Sequence, residues 1–202
     1  CRFGEFWCLA VRRGGWGAKV VLTVFSLAWA LVFDGELELV GAFCAGGCED
    51  PRLFVFRGRL FVAFTGLEQR DGAWFGNQCL AQLDDGWQVV RCWAPRLDER
   101  RAWEKNWAFF ECEGVLHAVY QVEPHQVLVF DHGLERAWFA EGVAQSSGLL
   151  GFDGAELAGG APPVARGFEF FHWFHSRRRV GDRWEYSAGL YSFQGREPFS
   201  VV

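Results

Sequence analysis

The sequence predicts an all-β protein built from the repeated four-stranded units of a β-propeller. Short apolar stretches alternate with turn signals along the whole chain, and signals for helices are scarce. Apolar residues make up 50% of the 202 residues and charged residues 22%, which is enough apolar material for a packed core. Paired hairpins also recur at a nearly constant interval. This period favours a propeller over a β-sandwich, which does not require one.

The clearest hairpin is predicted at 53–65, where two apolar runs flank the turn Arg57-Gly58. The same pattern returns at 109–120 around Glu113-Gly114 and at 163–175 around Arg166-Gly167. The turn glycines Gly58, Gly114 and Gly167 are separated by 56 and 53 residues. Second hairpins are expected to turn at Asp34-Gly35, Asp85-Gly86, His132-Gly133 and Gln194-Gly195.

Each unit therefore contains four antiparallel strands in roughly 50 residues, which is the size of a propeller blade. We predict a single propeller domain with blades at about 1–45, 46–102, 103–154 and 155–202. Because this period gives only three to four blades, we expect an incomplete ring of the five-bladed type. The chain begins at Cys1 and contains no Met, so we also expect the natural N-terminus to lie upstream.

Charge and hydropathy exclude several classes of partner. The formal net charge is −5 with acidic and basic residues interspersed, which is unlike the basic surface of a nucleic-acid-binding protein. The longest apolar run, 20–33, is too short to cross a bilayer as a helix, and no signal-peptide cleavage site follows it. We therefore expect no nucleic-acid or membrane partner and a cytoplasmic location.

Seven cysteines occur at irregular spacing, and an odd count does not indicate a disulfide framework. Cys44 and Cys48 are close in sequence, but no second pair of Cys or His residues completes a zinc site. We expect the thiols to act as small apolar residues in the core. No metal and no resident cofactor are predicted.

Polar residues stand beside the predicted hairpins at positions where a plain strand would not need them. In a propeller, equivalent positions of successive blades converge around the channel although they are far apart in sequence. Carboxylates, cations and imidazoles in an aromatic-rich funnel suit a ligand with many hydroxyl groups. Seven residues are expected to share this funnel: Asp50, Arg52, Glu68, Lys105, Asn106, His125 and His175.

The motifs around these residues resemble those of the five-bladed propeller glycosidases. In order, they are Glu49-Asp50-Pro51-Arg52, Lys105-Asn106-Trp107, Pro124-His125, the Gly-Gly-x-Pro turn at 159–162 and Phe174-His175-Ser176. Their order and spacing over 46–202 are most similar to glycoside hydrolase family 130, the mannoside phosphorylases and their relatives. The resemblance implies a phosphorylase or hydrolase that acts with inversion on mannoside-like sugars, with an oligosaccharide or glycan as its substrate.

The resemblance also implies a role for each residue. Glu68 stands where the family has the Asp that protonates the leaving oxygen, and Asp50 is expected to orient the sugar or to stabilise charge. Arg52, Lys105 and His125 are expected to bind inorganic phosphate, the co-substrate of a phosphorylase. Asn106 and His175 are expected to bind substrate.

Two departures from the family keep a second function open. Glu68 replaces the family's Asp, and the segment Ala158-Gly159-Gly160-Ala161-Pro162 lacks the Arg and Thr that relatives often carry there. The alternative is a propeller that binds glycans without cleaving them, in association with a glycosyltransferase or another glycan-processing system. Structural roles are also open for Asp50, as a turn cap before Pro51, and for Arg52, as the partner of a loop carboxylate.

The remaining aromatic and imidazole groups divide into core and site candidates. His117 lies within a predicted strand and is expected to be an interior group, whereas His175 lies at a strand end and is the better site candidate. Most of the 11 tryptophans are expected to pack between blades. The candidates for stacking on sugar rings are Trp74, Trp103, Trp107 and Trp173.

Overall fold

The computed structural model describes residues 1–15, 17–142 and 156–202. In these ranges all regular structure is β-strand apart from one 3₁₀ turn at Ala42–Cys44, so the all-β prediction is confirmed. The strands are β1 Arg2–Phe3, β2 Phe6–Arg13, β3 Lys19–Ser26, β4 Leu31–Glu36, β5 Cys48–Phe56, β6 Arg59–Arg70, β7 Ala73–Leu83, β8 Val89–Trp93, β9 Arg96–Leu97, β10 Ala108–Cys112, β11 Val115–Gln121, β12 Gln126–Phe130, β13 Arg136–Phe139, β14 Glu156–Gly159, β15 Val164–Arg166, β16 Glu169–Val180 and β17 Arg183–Gln194.

The chain divides into two compact units, Cys1–Lys105 and Asn106–Val202. The first unit contains two antiparallel sheets, β1 to β4 and β5 to β8, each with its strands paired in sequence order. In the second unit β10 to β13 also pair in sequence order, and β14 to β17 form a further sheet. The blade boundaries at about 45, 102 and 154 stay a prediction.

The sheet of β14 to β17 has an interrupted edge. β14 pairs with the 174–177 part of β16, and β15 pairs with its 169–171 part, while β17 pairs with β16 over its whole length. β14 and β15 thus form one edge strand that is broken at 160–163. Pro162 and Pro163 lie in the break, and neither has a backbone N–H to donate to a neighbouring strand.

The tight turns that join the first two strands of a blade are confirmed. φ is positive at both central residues of Arg57-Gly58 and of Glu113-Gly114, as a type I′ hairpin turn requires. Gly167 also has a positive φ and opens the turn between β15 and β16. The turns predicted at Asp85-Gly86, His132-Gly133 and Gln194-Gly195 follow β7, β12 and β17 as expected.

The turn predicted at Asp34-Gly35 is wrong. Both residues lie inside β4, where Asp34 pairs with Thr23 and Gly35 with Leu22. The Thr23 hydroxyl donates a hydrogen bond to Asp34 Oδ1 at 2.8 Å, which holds the aspartate in the strand. The chain reverses earlier, at Trp29, where φ is 63°.

Each unit has its own core. In the first unit alternate residues of β3 and β6 bury one face of each sheet, and the buried thiols of Cys8, Cys44, Cys48 and Cys79 pack among them. In the second unit the core is aromatic, and the rings of Phe110 and Phe170 lie 4.6 Å apart.

Two predictions about interior groups are settled by this packing. His117 is buried, with Nδ1 3.1 Å from the carbonyl oxygen of Val115, so the prediction of an interior group is confirmed. The thiols are free, and those of Cys8, Cys44, Cys48, Cys79 and Cys112 are buried as expected, whereas Cys1 is exposed.

Candidate functional site

Glu68 lies near the end of β6, where β6 and β7 continue side by side to the turn Asp71-Gly72. Its carboxylate accepts hydrogen bonds from Arg70 Nη2 at 2.6 Å and from Asn77 Nδ2 at 3.2 Å. The Arg70 hydrogen bond is the main cause of a lowered Glu68 pKa, which partial burial opposes. Glu68 is therefore ionised at neutral pH, whereas a general acid needs a raised pKa.

Asn77 connects this ion pair to the rest of the first unit. Its side chain is only 2% exposed, and Oδ1 accepts a hydrogen bond from Arg100 Nη2 at 2.7 Å. We call Glu68, Arg70, Asn77 and Arg100 the Glu68 cluster. Sequence reasoning missed three of its four members, and the only signal for Asn77 was an amide within a strand that is otherwise largely apolar.

Two indoles lie beside β6 and β7. β7 pairs Trp74 with Gln69, one position beyond Glu68, and Trp103 forms a bridge with Gly76. Each ring packs against a glycine. A Cβ atom added to Gly46 would lie 2.4 Å from the Trp74 ring, and one added to Gly76 would lie 2.7 Å from the Trp103 ring. Trp74 is 36% exposed and Trp103 45%, so both present ring surface to solvent, on the opposite face of the hairpin from Glu68 and Asn77.

The other two indole candidates differ from each other. Trp107 is 2% exposed and packs against Phe109 and Tyr120, so the expectation that it stacks on a sugar is wrong. Trp173 is 53% exposed on β16.

Asp50 lies on a β-bulge of β5. Glu49 pairs with Thr65 and Arg52 with Ala63, so that Asp50 and Pro51 stand opposite a single residue of β6. Asp50 has a φ of 51° and is exposed. Burial lowers the pKa of Arg52, and the negative charge of Asp50 opposes this shift. The carboxylate of Asp50 therefore lies close enough to the Arg52 guanidinium for the two charges to attract each other.

Asn106 occupies the same position in its blade as Asp50 does in the preceding one. Asn106 precedes the turn Glu113-Gly114 by the same number of residues as Asp50 precedes Arg57-Gly58, and its φ of 64° is also left-handed. Its carbonyl oxygen lies so close to Gly159 that a Cβ there would be 2.3 Å away. Lys105, the last residue of the first unit, is half-buried.

His125 lies beneath β17 rather than on an open surface. It is 3% exposed, and Nδ1 is 2.9 Å from the hydroxyl oxygen of Tyr191, which also lies 3.2 Å from Nδ1 of His172. Burial lowers the pKa of His125 to about 4 and raises that of Tyr191. The imidazole is neutral at pH 7, so it does not supply the positive charge expected of a phosphate-binding group.

His175 lies in the middle of β16, so the prediction that it stands at a strand end is wrong. It pairs with Ala158 of β14 and Ala188 of β17, is half-buried, and its ring centre is 6.4 Å from that of Tyr186. His172, three residues earlier, is fully buried, which agrees with the expectation that the two face opposite sides of the strand.

Each unit therefore gathers part of the expected site. The first unit holds Asp50 beside Arg52 and surrounds Glu68 with its cluster, and the second holds Asn106 against Gly159. The convergence of all seven residues on one funnel stays a prediction. Within residues 1–15, 17–142 and 156–202, no group of three or more His, Cys, Asp or Glu side chains is placed to hold a metal ion. Over the same ranges, no helix has the length and apolar character needed to span a bilayer.

No protein-family model and no curated protein sequence matches this chain. Solved structures match its fold. The glycoside hydrolase family 32 β-fructofuranosidase of Bombyx mori aligns with 99% of this chain at a TM-score of 0.63 and 14% identity, over 46% of its own length. The β-1,2-mannobiose phosphorylase of Listeria innocua aligns with 92% of this chain at a TM-score of 0.62 and 12% identity, over 52% of its own length. The xyloglucan PUL protein GH43B of Bacteroides ovatus aligns with 100% of this chain at a TM-score of 0.62 and 12% identity, over 39% of its own length.

The fold of this chain is therefore a partial β-propeller, and the propeller prediction is confirmed to that extent. The chain spans about half the length of the solved structures it matches. At 12–14% sequence identity, these structural matches show the fold alone and do not single out one family within it.

Proposed function

We propose that this chain is part of a carbohydrate-active propeller that cleaves mannoside-like oligosaccharides with inversion, by phosphorolysis or by hydrolysis. The observation that carries the proposal is the Glu68 cluster, an ionised carboxylate held by a guanidinium and an amide, on a hairpin whose other face has the partly exposed indoles of Trp74 and Trp103 beside it. Indole faces stack on sugar rings, and an ionised carboxylate with guanidinium neighbours binds hydroxyl groups. Support also comes from the Listeria innocua phosphorylase of similar fold, which was solved with β-1,2-mannobiose.

Glu68 is the proposed acid, and its action requires that Arg70 moves. In the free protein the hydrogen bond from Arg70 is the main cause of the lowered Glu68 pKa. The Arg70 side chain is 47% exposed, so a sugar can displace it. Displacement removes that hydrogen bond, and the sugar excludes water, so the pKa of Glu68 rises. Glu68 then takes a proton from solvent and delivers it to the leaving oxygen.

The other predicted residues keep their roles with one exception. Exposed Asp50 orients the sugar or stabilises charge, Arg52 and Lys105 provide positive charge for phosphate, and Asn106 and His175 bind hydroxyl groups. His125 leaves the proposed anion-binding set, because a buried neutral imidazole offers phosphate no charge.

The test is turnover by the complete protein of which this chain is part. Aryl mannosides and mannobiose are incubated with the protein, with and without inorganic phosphate, and the products are analysed. Mannose 1-phosphate formed only with phosphate supports phosphorolysis, and free mannose formed without it supports hydrolysis. Absence of product under both conditions contradicts an enzyme.

A second candidate function, glycan binding without cleavage, is favoured by the engagement of Glu68 with Arg70. A carboxylate held ionised by an arginine is a good acceptor for sugar hydroxyls and a poor proton donor. Calorimetric titration with mannobiose separates the two proposals, because binding without product supports this one. Absence of binding contradicts both.

A further inference from the structure

Cys44 and Cys48 lie on one loop of the first unit and line the same pocket. The loop leads from the 3₁₀ turn into β5, and the N–H of Gly47 donates to the carbonyl oxygen of Cys44 at 3.0 Å. The pocket has a volume of about 320 Å³, and Lys19 and Glu38 are among the residues around it. Both thiols are thus largely buried in the protein and yet border a space that admits a small molecule.

Cys44 Sγ donates to the carbonyl oxygens of Gly41 at 3.3 Å and Leu39 at 3.4 Å, and the two thiols also act unequally on each other. The interaction with Cys48 lowers the pKa of the Cys44 thiol, although burial opposes the shift. The same interaction, together with burial, raises the pKa of Cys48. A thiolate is the reactive form of cysteine, so Cys44 is the nucleophile of the pair. Cys79 lies nearby, but it is fully buried and its pKa is raised.

We propose that Cys44 and Cys48 form a reactive dithiol site for low-molecular-weight disulfides of the glutathione type. The Cys44 thiolate attacks one sulfur of the disulfide, whose S–S bond breaks and releases one glutathione thiolate, which takes up a proton. Cys48 loses its proton to solvent and attacks Cys44 Sγ, and the second glutathione leaves in the same way. Two protein thiols and one disulfide become one protein disulfide and two free thiols.

The same loop contacts the Glu68 cluster, so closing the disulfide is expected to alter it. The carbonyl oxygen of Phe43 accepts a hydrogen bond from Asn77 Nδ2 at 3.4 Å, and the N–H of Gly46 donates to the carbonyl oxygen of Leu67 at 2.8 Å. Asn77 in turn donates to Glu68. Oxidation of the pair is therefore expected to weaken ligand binding at Glu68, and this part of the inference rests on the proposed function.

The chemical step is tested by incubating the reduced full chain with graded ratios of reduced and oxidised glutathione, followed by alkylation and tryptic mass spectrometry. Cleavage after Lys19 and Arg52 leaves Cys44 and Cys48 as the only cysteines of the peptide 20–52. We expect this peptide to become unalkylated and lighter by two hydrogens before any other cysteine reacts. Cys48→Ser is expected to keep one glutathione on Cys44, and Cys44→Ser to leave position 48 unmodified.

Cys112→Ser is the matched control, because it removes a buried thiol from the other unit and is expected to change nothing. A peptide 20–52 that stays fully alkylated while exposed Cys1 takes up glutathione would overturn the site. Mannobiose binding by reduced and oxidised protein tests the consequence. Weaker binding after oxidation, restored by dithiothreitol, supports it, and equal binding with the disulfide formed overturns the coupling alone. A reduced protein that binds no sugar counts against the proposed function and not against the dithiol.

Discussion

The hairpins β6–β7 and β16–β17 are similar in length and pairing, but they carry different polar side chains at equivalent positions near the turn. β6 and β16 each contain 12 residues, and Glu68 and Arg178 occupy equivalent positions in them. Glu68 is 15% exposed and is bonded to both Arg70 and Asn77. Arg178 is 44% exposed and pairs with Glu185 on the opposite strand at 2.9 Å. One hairpin therefore ends in a shielded cluster and the other in a surface ion pair.

The difference comes from what packs on each hairpin. In the first unit, Arg100 and the backbone of Phe43 both reach Asn77, which holds Glu68 from the side of β7. The position equivalent to Asn77 in β17 is Ser187. The buried polar contacts of the second hairpin lie further back, where Tyr191 bridges two imidazoles. A charge pair at a hairpin end thus becomes a candidate site only when further groups shield and orient it.

The largest expected effect is on function at Glu68. Glu68→Gln keeps the size of the side chain and removes the charge that Arg70 and the proposed reaction need. We expect turnover, or glycan affinity if the protein only binds, to fall by about 100-fold or more. The matched variant Glu185→Gln on the second hairpin is expected to stay within about twofold of the unmodified protein. Equal losses in the two variants would contradict the distinction between the hairpins.

Acid is expected to lower the free energy of unfolding in two pH ranges, one set by His125, which packs against β17, and the other by Glu68 on β6. His125 has a pKa of about 4 when folded, below its ordinary 6.5, so its contribution to stability is complete above pH 6.5 and is lost as the pH falls towards 4. The loss over this window is about 3 kcal/mol. The lowered pKa of Glu68 removes stability only below its ordinary value of 4.5. Urea unfolding across this pH range is the measurement.

Two variants test which residue causes the loss of stability in each pH range. His125→Gln is expected to reduce the dependence between pH 6.5 and 4, to which buried His117 with its lowered pKa also contributes, and Glu68→Gln to reduce only the part below 4.5. A stability that remains constant from pH 6.5 to 4.5 in the unmodified protein would show that neither His125 nor His117 is buried as a neutral group.

Tyr191→Phe removes the hydroxyl group between His125 and His172. Both Nδ1 atoms then lose a partner in a buried place, and we expect the free energy of unfolding to fall by about 1–3 kcal/mol. Tyr186→Phe is the control, because Tyr186 lies on the same strand and is 64% exposed, so its loss is expected to stay below about 0.5 kcal/mol. Equal unfolding midpoints for both variants would contradict the importance of the buried hydroxyl.

The fold was more predictable from the sequence than the site, because hairpins leave local signals. Arg57-Gly58 and Glu113-Gly114 were found from apolar runs around a glycine, and the structure gives both the left-handed φ values of such turns. Asp34-Gly35 carries the same local signal. It lies in a strand because Thr23, on the neighbouring strand, provides a hydrogen bond that the local sequence does not reveal.

The site depends on contacts between residues far apart in the chain. The place of Glu68 after the first hairpin was predicted, but Arg100 reaches Asn77 across 23 positions. His125 was expected to bind phosphate because the motif Pro124-His125 resembles that of the propeller glycosidases. Tyr191, 66 positions later, lies against it in the core, and burial makes the imidazole neutral. Residue type and spacing indicate which groups are polar, and only tertiary packing decides their charge.

The smallest expected effect is that of the surface pair Arg178–Glu185. Both side chains are roughly half exposed, so water screens the pair and the free side chains gain conformational freedom when it breaks. In a double-mutant cycle with Arg178→Ala and Glu185→Ala, we expect a coupling energy of about 0.2–1 kcal/mol that shrinks when salt is added. The same cycle with Arg70→Ala and Glu68→Ala is expected to give a larger and less salt-sensitive coupling, because Glu68 is shielded and also held by Asn77. If both cycles gave the same coupling and the same response to salt, shielding would not be what distinguishes the two hairpins, and the case for a site at Glu68 would lose its physical basis.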